Sequence, residues 1–195
     1  GLASSASSFA ALTKGFGELL KERKGTELSD VELSRLSQKG SGSSSRSFFE
    51  PWSLWEGKGA RGLELPYGKL LHQVLVIEAG KKVMTSSEAH QHVKTSSNYE
   101  HRGQRAEKRL EELLQSLEKQ DWKSSYYLCW SEFWDMHSLF ETSVPPFRYM
   151  SPETHEALYH LSQYWLENSD GPLVTMDAGP NIHLLYREDQ RDMYS

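Results

Sequence analysis

Sulfur, long apolar runs and positive charge are all scarce in this 195-residue sequence, and each shortage excludes something. A single cysteine, Cys129, rules out any internal disulfide and fits a reducing, cytoplasmic compartment. Inside the stretch YYLCWSEFW, its thiol reads as a small buried apolar group rather than a nucleophile. No apolar run approaches the length of a membrane span, so no membrane role is expected. The net charge of -5 argues against nucleic acid or an anionic lipid surface as partner. Disorder is excluded as well, because 37% hydrophobic and 25% charged residues make a globular composition. The length suffices for one large or two small domains with a real core. There is no starting methionine; the chain opens on GLASSASS, small residues and hydroxyls that run into a helix with no strand ahead of them.

What is present alternates between helical and extended periodicity. Phe9, Leu12, Phe16, Leu19 and Leu20 have helical spacing, and the helix should stop at Gly25. Ser29 and Glu32 form a capping-box pattern for a short helix ending at Gly40. GSGSSSRS, residues 40–47, is too rich in glycine and serine for an element interior and reads as a loop. KLLHQVLVIEAG, 69–80, reads as a buried strand. Two helices follow, GQRAEKRLEELLQSLEKQ with a charged outer face and DWKSSYYLCWSEFWDMHSLFET with an aromatic core stripe. Ser151 and Pro152 cap and start another that ends near Gly171. PLVTM and NIHLLY read as strands flanking DAGP. Helices between strands without regular βαβ alternation predict an α+β fold.

Three segments could carry chemistry, and each also has a plain structural reading. The amides at a helix start make GLASSASS a possible anion site, with Ser4, Ser5 and Ser7 able to bond phosphate or support magnesium; on pattern alone a serine-rich start is more often a plain N-cap. The hydroxyls of GSGSSSRS and the guanidinium of Arg46 suit an anionic substrate, or form a solvated surface loop. Asp177, at a strand end before a Gly-Pro turn, is placed as a base or orienting carboxylate, or simply builds the turn. His90, His92 and His101 have no spacing that converges with acidic partners and read as exposed rather than as a metal cluster.

Taken in order, GLASSAS, GSGSSSRS and DAGPN resemble the diphosphomevalonate decarboxylase family, within the superfamily of galactokinase, homoserine kinase, mevalonate kinase and phosphomevalonate kinase (GHMP kinases). That family shows GLASSA at its phosphate loop, GSGSACRS at its substrate loop and DAGPN near its end. FEPWSLW, Phe49 to Trp55, echoes its GFVEW, and His137 with Pro145 and Pro146 and the run PPFRYM matches its histidine and PPIxYM. The resemblance runs through nearly the whole chain.

The resemblance implies a two-lobed GHMP-kinase-like fold, with 1–68 the remainder of the N-terminal, ATP-binding domain and 69–195 the C-terminal domain. It implies ATP and Mg2+, with Gly1, Leu2, Ala3, Ser4 and Ser5 at the ATP phosphates and Ser5 also at the metal. Ser41, Gly42, Ser43 and Arg46, together with Thr85 and Ser86, would bind mevalonate diphosphate, and Asp177, with Arg46, would be catalytic. The implied reaction phosphorylates the C3 hydroxyl, loses phosphate and releases carbon dioxide to give isopentenyl diphosphate for isoprenoid biosynthesis. A homodimer is implied too. The chain departs from the pattern in two places: GKKVMTSSEAHQHVKTS keeps Lys81, Lys82, Thr85, Ser86, Thr95 and Ser96 but lacks the family's Gly-Met, and EFWDMH replaces DSNxFH. Both lie where the substrate's tail is expected, which leaves another phosphorylation state of mevalonate as an alternative. A simple kinase of the superfamily and a non-catalytic interaction protein are the others; relatives that only phosphorylate lack an aspartate at the position of Asp177. The strand before GLASS, the adenine-binding segment and a substrate lysine lie upstream in the superfamily, so the expectation is a C-terminal portion, unstable alone and restored by the missing segment.

Overall fold

The computed structural model describes residues 4–57, 59–78, 84 and 86–194. The chain divides into two compact units, Gly1–Gly68 and Lys69–Ser195.

In the first unit, α1 (Ser4–Lys24) is followed by α2 (Asp30–Gln38), a 3-10 helix (Gly42–Phe48) and a hairpin of β1 (Trp52–Glu56) and β2 (Gly59–Leu63). The end of α1 is set locally. Lys21, Arg23 and Lys24 face the negative end of its dipole, and Gly25 takes a positive φ of 65° that stops the helix. Most of its large apolar residues face outward, although the Phe9 ring lies over Gly40 and Leu20 is half-buried. Phe9, Leu12, Phe16 and Leu19 are 38%, 69%, 48% and 52% exposed, whereas the small face of Ala6, Ala10, Thr13 and Gly17 is buried. Gly17 leaves room for Leu33, whose Cδ2 a Cβ there would meet at 2.9 Å and have to displace. Ala10, Leu33 and Phe48 form the small core of this unit. The capping box at α2 forms as expected, with Ser29 accepting from the Glu32 amide and Glu32 accepting from the Ser29 amide at 2.8 Å.

The second unit contains β3 (Leu71–Leu75), α3 (Ser86–His92), α4 (Arg102–Glu118), α5 (Trp122–Glu141), α6 (Pro152–Asn168), β4 (Leu173–Met176), β5 (Ile182–Tyr186) and α7 (Arg191–Tyr194). The strands form an antiparallel sheet ordered β3–β5–β4. Ile182, Leu184 and Tyr186 alternate into the core with Val174 and Met176. Period-two alternation puts these side chains on one face, and α5 packs against β4. Tyr126 of α5 stacks on Trp165 of α6 with centroids 4.0 Å apart. Two indole N–H groups bond carbonyls at the α6–β4 corner, Trp122 to Gly171 at 2.7 Å and Trp165 to Pro172 at 2.8 Å. The aromatic stripe is therefore core, and Cys129 sits within it, where burial pushes its thiol up to about 12. The charged face of α4 meets α5 through Arg102, Arg105 and Arg109, which grip Glu132 and Asp135.

Helices and antiparallel strands together make the fold α+β, as expected. Two local expectations are corrected. Residues 40–47 are not a plain loop, because serine hydroxyls satisfy one another and let the segment wind into a 3-10 helix with Ser44 and Ser45 wholly buried. Among the described residues of the strand expected over 69–80, pairing runs over Leu71–Leu75, at the edge of the β3–β5–β4 sheet, and the strand is half-buried rather than buried.

Candidate active site

The first group of candidate residues lies on the 3-10 helix of the first unit. Ser44 Oγ donates to the Ser41 carbonyl at 2.6 Å and lies 2.5 Å from Ser37 Oγ on α2. Ser45 Oγ donates to the Gly42 carbonyl at 2.9 Å, and Ser34 Oγ donates to the Ser45 carbonyl at 3.0 Å. All four serines are buried: Ser34 and Ser37 tie the segment to α2, while Ser44 and Ser45 also close its own turns. Ser41 and Ser43 are half-buried, their hydroxyls 3.5 Å apart, and Arg46 is exposed. The Arg46 guanidinium sits over the Trp55 ring at 5.8 Å, a partner supplied by the β1–β2 hairpin. Trp55 also explains Gly42, since a Cβ there would meet its ring at 2.9 Å. The arrangement presents two hydroxyls and a backed guanidinium outward from a braced turn, suited to gripping carboxylate or phosphate.

Asp177 belongs to the second unit, on the turn between β4 and β5, and is exposed. The turn is tied to its surroundings from three directions. The His137 Nε2–H of α5 donates to the Asp177 carbonyl at 3.1 Å. Thr154 Oγ1, at the start of α6, donates to the Pro180 carbonyl at 3.0 Å. Asn181 Oδ1 accepts from the amides of Ile77 and Glu78 at 2.9 and 3.2 Å. Ala178, next to Asp177, packs against the cluster of Ala89, Val93, Leu139, Phe140 and Tyr149. Met84 packs against the same cluster, and its carbonyl accepts from Tyr149 Oη at 2.9 Å. Met84 and Ala178, the neighbour of Asp177, therefore share one core cluster.

Titratable groups around this turn are perturbed for identifiable reasons. Burial drives His137 down to about 4, against a smaller opposing pull from Asp177, so its imidazole is neutral. Burial raises the Tyr149 hydroxyl, and Asp177 adds to the effect. His183, stacked on His72 with Nδ1 and Nε2 3.0 Å apart, is pushed down by burial and then by His72, while Asp177 works the other way. A cleft of about 380 Å³ opens beside α5, lined by residues including Trp134, His137, Arg148, Tyr149 and His155. His137 thus stands between this cleft and the Asp177 carbonyl.

The remaining candidates are only partly visible. Gly1, Leu2, Ala3 and Thr85 lie outside the described residues, as do Lys81 and Lys82. Ser4 opens α1, Ser5 is exposed in its first turn, and Ser86 opens α3. That first turn of α1 carries no acidic residue. Among the described residues no group of three or more His, Cys, Asp and Glu could hold a metal ion. The donor set fits magnesium carried on nucleotide phosphates, with a serine hydroxyl as the protein's share, better than a closed protein cage. His92, expected to be exposed, is half-buried with Nε2 2.6 Å from the Pro145 carbonyl. Sequence reasoning missed Trp55 as the backing of Arg46, and Thr154 and Asn181 as supports of the turn; the Asn of DAGPN was the one signal available for the last. No described helix is long and apolar enough to cross a membrane.

Comparison with known proteins bears on both units. A family model for a diphosphomevalonate decarboxylase-like N-terminal domain matches residues 1–66, and one for a mevalonate 5-diphosphate decarboxylase C-terminal domain matches residues 73–194. The diphosphomevalonate decarboxylase of Candida albicans is 28% identical over 204 residues, spanning 98% of this chain and 55% of that protein. A mevalonate diphosphate decarboxylase structure from Legionella pneumophila is 51% identical with a TM-score of 0.93, covering 98% of this chain and 61% of that one. A structure of MDDEF in complex with MVAPP, AMPPCP and magnesium is 29% identical with a TM-score of 0.85, covering all of this chain and 61% of that one. The chain spans about half the length of the curated relatives it matches.

Proposed function

The chain belongs to the mevalonate 5-diphosphate decarboxylase family, and we propose that the protein carrying it converts mevalonate diphosphate to isopentenyl diphosphate with consumption of ATP, as a step of isoprenoid biosynthesis. Support comes from the two family models following one another along the chain, and from the relative that binds MVAPP, AMPPCP and magnesium together. The single structural observation that carries the reading is an exposed residue, Asp177, on a turn whose carbonyls are held by His137 and Thr154 and whose Asn181 side chain is bonded to the amides of Ile77 and Glu78.

Each residue has a role that follows from its chemistry. Residues 1–68 are the rest of the ATP-binding domain and 69–195 the C-terminal domain. Residues Gly1 to Ser5 cradle the nucleotide phosphates, with backbone amides at the start of α1 and the Ser5 hydroxyl toward the metal. Magnesium, when bound, neutralises charge on the phosphates as the phosphoryl group moves. Ser41, Gly42, Ser43, Thr85 and Ser86 hold the substrate, and Arg46 clasps its anionic oxygens from its seat on Trp55. Asp177 takes the proton of the C3 hydroxyl as that oxygen bonds the γ-phosphorus, and the bond from the γ-phosphorus to the β,γ-bridging oxygen breaks, so that ADP leaves with that electron pair. The C3–O bond then breaks and phosphate leaves with the electron pair. The C1–C2 bonding pair becomes the C2–C3 double bond, and the carboxylate departs as carbon dioxide. The protein contributes chiefly position and charge. The reading also includes a cytoplasmic homodimer, supported by the single cysteine for the compartment and by the family resemblance for the dimer.

The test is substrate selection by the full-length protein. With ATP and magnesium, labelled carbon dioxide should come from C1-labelled mevalonate diphosphate and not from mevalonate or its monophosphate. Release from one of the latter alone would move the protein to another phosphorylation state of the substrate.

A further inference from the structure

The turn bearing Asp177 is held more firmly than a link between two antiparallel strands requires. A β4–β5 connection of five residues, 177–181, needs no side chains from elsewhere to close. Yet the carbonyls at its two corners each receive a donor from a different helix, one 40 and one 26 residues away in sequence. Both donors are sequestered: His137 is 4% exposed and Thr154 is 0% exposed. Neither side chain is placed to meet a ligand at Asp177 directly. The imidazole is further fixed by an edge-on contact with Phe140, ring centroids 5.1 Å apart. Because a carbonyl oxygen can only accept, the proton must sit on Nε2, which sets the tautomer. The same carbonyl accepts the Gly179 amide at 2.9 Å, so the peptide plane following Asp177 is pinned by two donors. The direction in which the carboxylate leaves the backbone then follows from the placement of α5 and the start of α6.

We propose that His137 and Thr154 are positioning residues that aim the Asp177 carboxylate by fixing the carbonyls of Asp177 and Pro180. This deepens the proposed function and rests on Asp177 acting there as the base. A tertiary hydroxyl presents its proton along one direction, so an error of about 1 Å in the carboxylate costs as much as 100-fold in rate while leaving nucleotide binding intact. Thr154 has a second duty, accepting from the Ser151 amide at 3.2 Å as part of its helix cap, so the two positions predict different side effects. Loss of Thr154 lowers stability as well as turnover; loss of the His137 donor falls mainly on turnover.

The experiment compares kcat and KM for ATP-dependent carbon dioxide release in the full-length protein and its variants. Gln at 137 places an N–H donor near the reach of Nε2, and Leu removes it; Ser at 154 keeps the hydroxyl, and Val removes it. His137→Leu and Thr154→Val should lower kcat roughly 10- to 100-fold with KM for ATP within about twofold of wild type. His137→Gln and Thr154→Ser should recover most of the loss. The Asp177→Asn/His137→Leu double variant should be no slower than Asp177→Asn alone, since His137 acts only through Asp177. Wild-type kcat in His137→Leu, or a double variant slower by the full product of the two single effects, would overturn the proposal. If His137→Leu does not fold, the Ser and Val forms at 154 decide. Amide exchange of residues 176–182 reads the clamp independently of turnover, and should speed up in the Leu and Val forms but not in the Gln and Ser forms. Unchanged exchange refutes the clamp even if the protein proves to catalyse another reaction. Full turnover in Asp177→Asn would instead remove the base from the proposed function and leave the clamp standing.

Discussion

Replacing Ser44 by alanine should destabilise the segment that carries Arg46 by stranding the hydroxyl of a different residue. Ser44 is 0% exposed and Ser37 is 1% exposed, with their oxygens 2.5 Å apart. Since Ser44 spends its proton on the Ser41 carbonyl, the proton between the two oxygens comes from Ser37. Ser44→Ala therefore leaves a buried donor without a partner, at a cost of about 1–3 kcal/mol. The Ser41 carbonyl keeps the Ser44 amide at 3.0 Å and adds little. Ser37→Ala costs less, about 1 kcal/mol, because Ser44 can still donate to Ser41. The Ser37→Ala/Ser44→Ala form removes both ends of the contact and should be no less stable than Ser44→Ala, a coupling of about 1 kcal/mol that favours the double form. Urea unfolding of the full-length protein measures this as a lowered midpoint at constant slope. Arg46 follows in the same turn, so KM for the proposed substrate, mevalonate diphosphate, should rise in the order of the stability losses. Simple additivity of the two single effects, or a neutral Ser44→Ala, would refute the claim that this hydroxyl pair fixes the turn.

Two further outcomes are expected. His137 holds off its proton to about 4, whereas an unfolded histidine titrates near its ordinary value of 6.5. The unfolded state thus binds more protons between these values, so this contribution is complete above pH 6.5 and is lost as pH falls toward 4. It amounts to roughly 3 kcal/mol. Urea midpoints taken across that range should show the slope in wild type and a flatter one in His137→Gln; equal slopes would contradict it. Gly42→Ala should push the Trp55 ring aside, because its Cβ would arrive 2.9 Å from the far end of that exposed side chain. Stability should change by less than about 1 kcal/mol, while KM for the substrate rises several-fold as Arg46 loses its backing; an unchanged KM would show that Trp55 does not support the guanidinium.

Much of the scaffold was legible because its signals are local. The Ser29 and Glu32 box, the stop at Gly25 and the Ser151-Pro152 start each depend on residues within a turn of one another, and all three form. PLVTM and NIHLLY are short branched runs on either side of a turn, and both are strands. The misreadings have non-local causes. Glycine and serine in 40–47 signal a loop only if their hydroxyls face water; here α2 supplies Ser34 and Ser37 to receive the segment, and a buried 3-10 helix results. KLLHQVLVIEAG is apolar enough for a central strand, but its pairing partner β5 already has β4 on the other side, which leaves β3 at the edge. The hairpin partner GARGL lacks β-branched and aromatic residues and gave no strand signal, so the contact of Trp55 with Arg46 was invisible. Candidate motif residues could be picked by eye from the sequence, whereas the side chains holding the Asp177 turn come from α5 and α6, where nothing in the linear spacing relates them to it.

The central claim is that Asp177 is the base of an ATP-dependent decarboxylation, and the most direct measurement follows ADP and carbon dioxide together in the full-length protein and in Asp177→Asn. Wild type should release one carbon dioxide for each ADP, and the variant should lose both by about 100-fold or more while still binding nucleotide. ADP without carbon dioxide in wild type, or undiminished release in Asp177→Asn, would contradict the account.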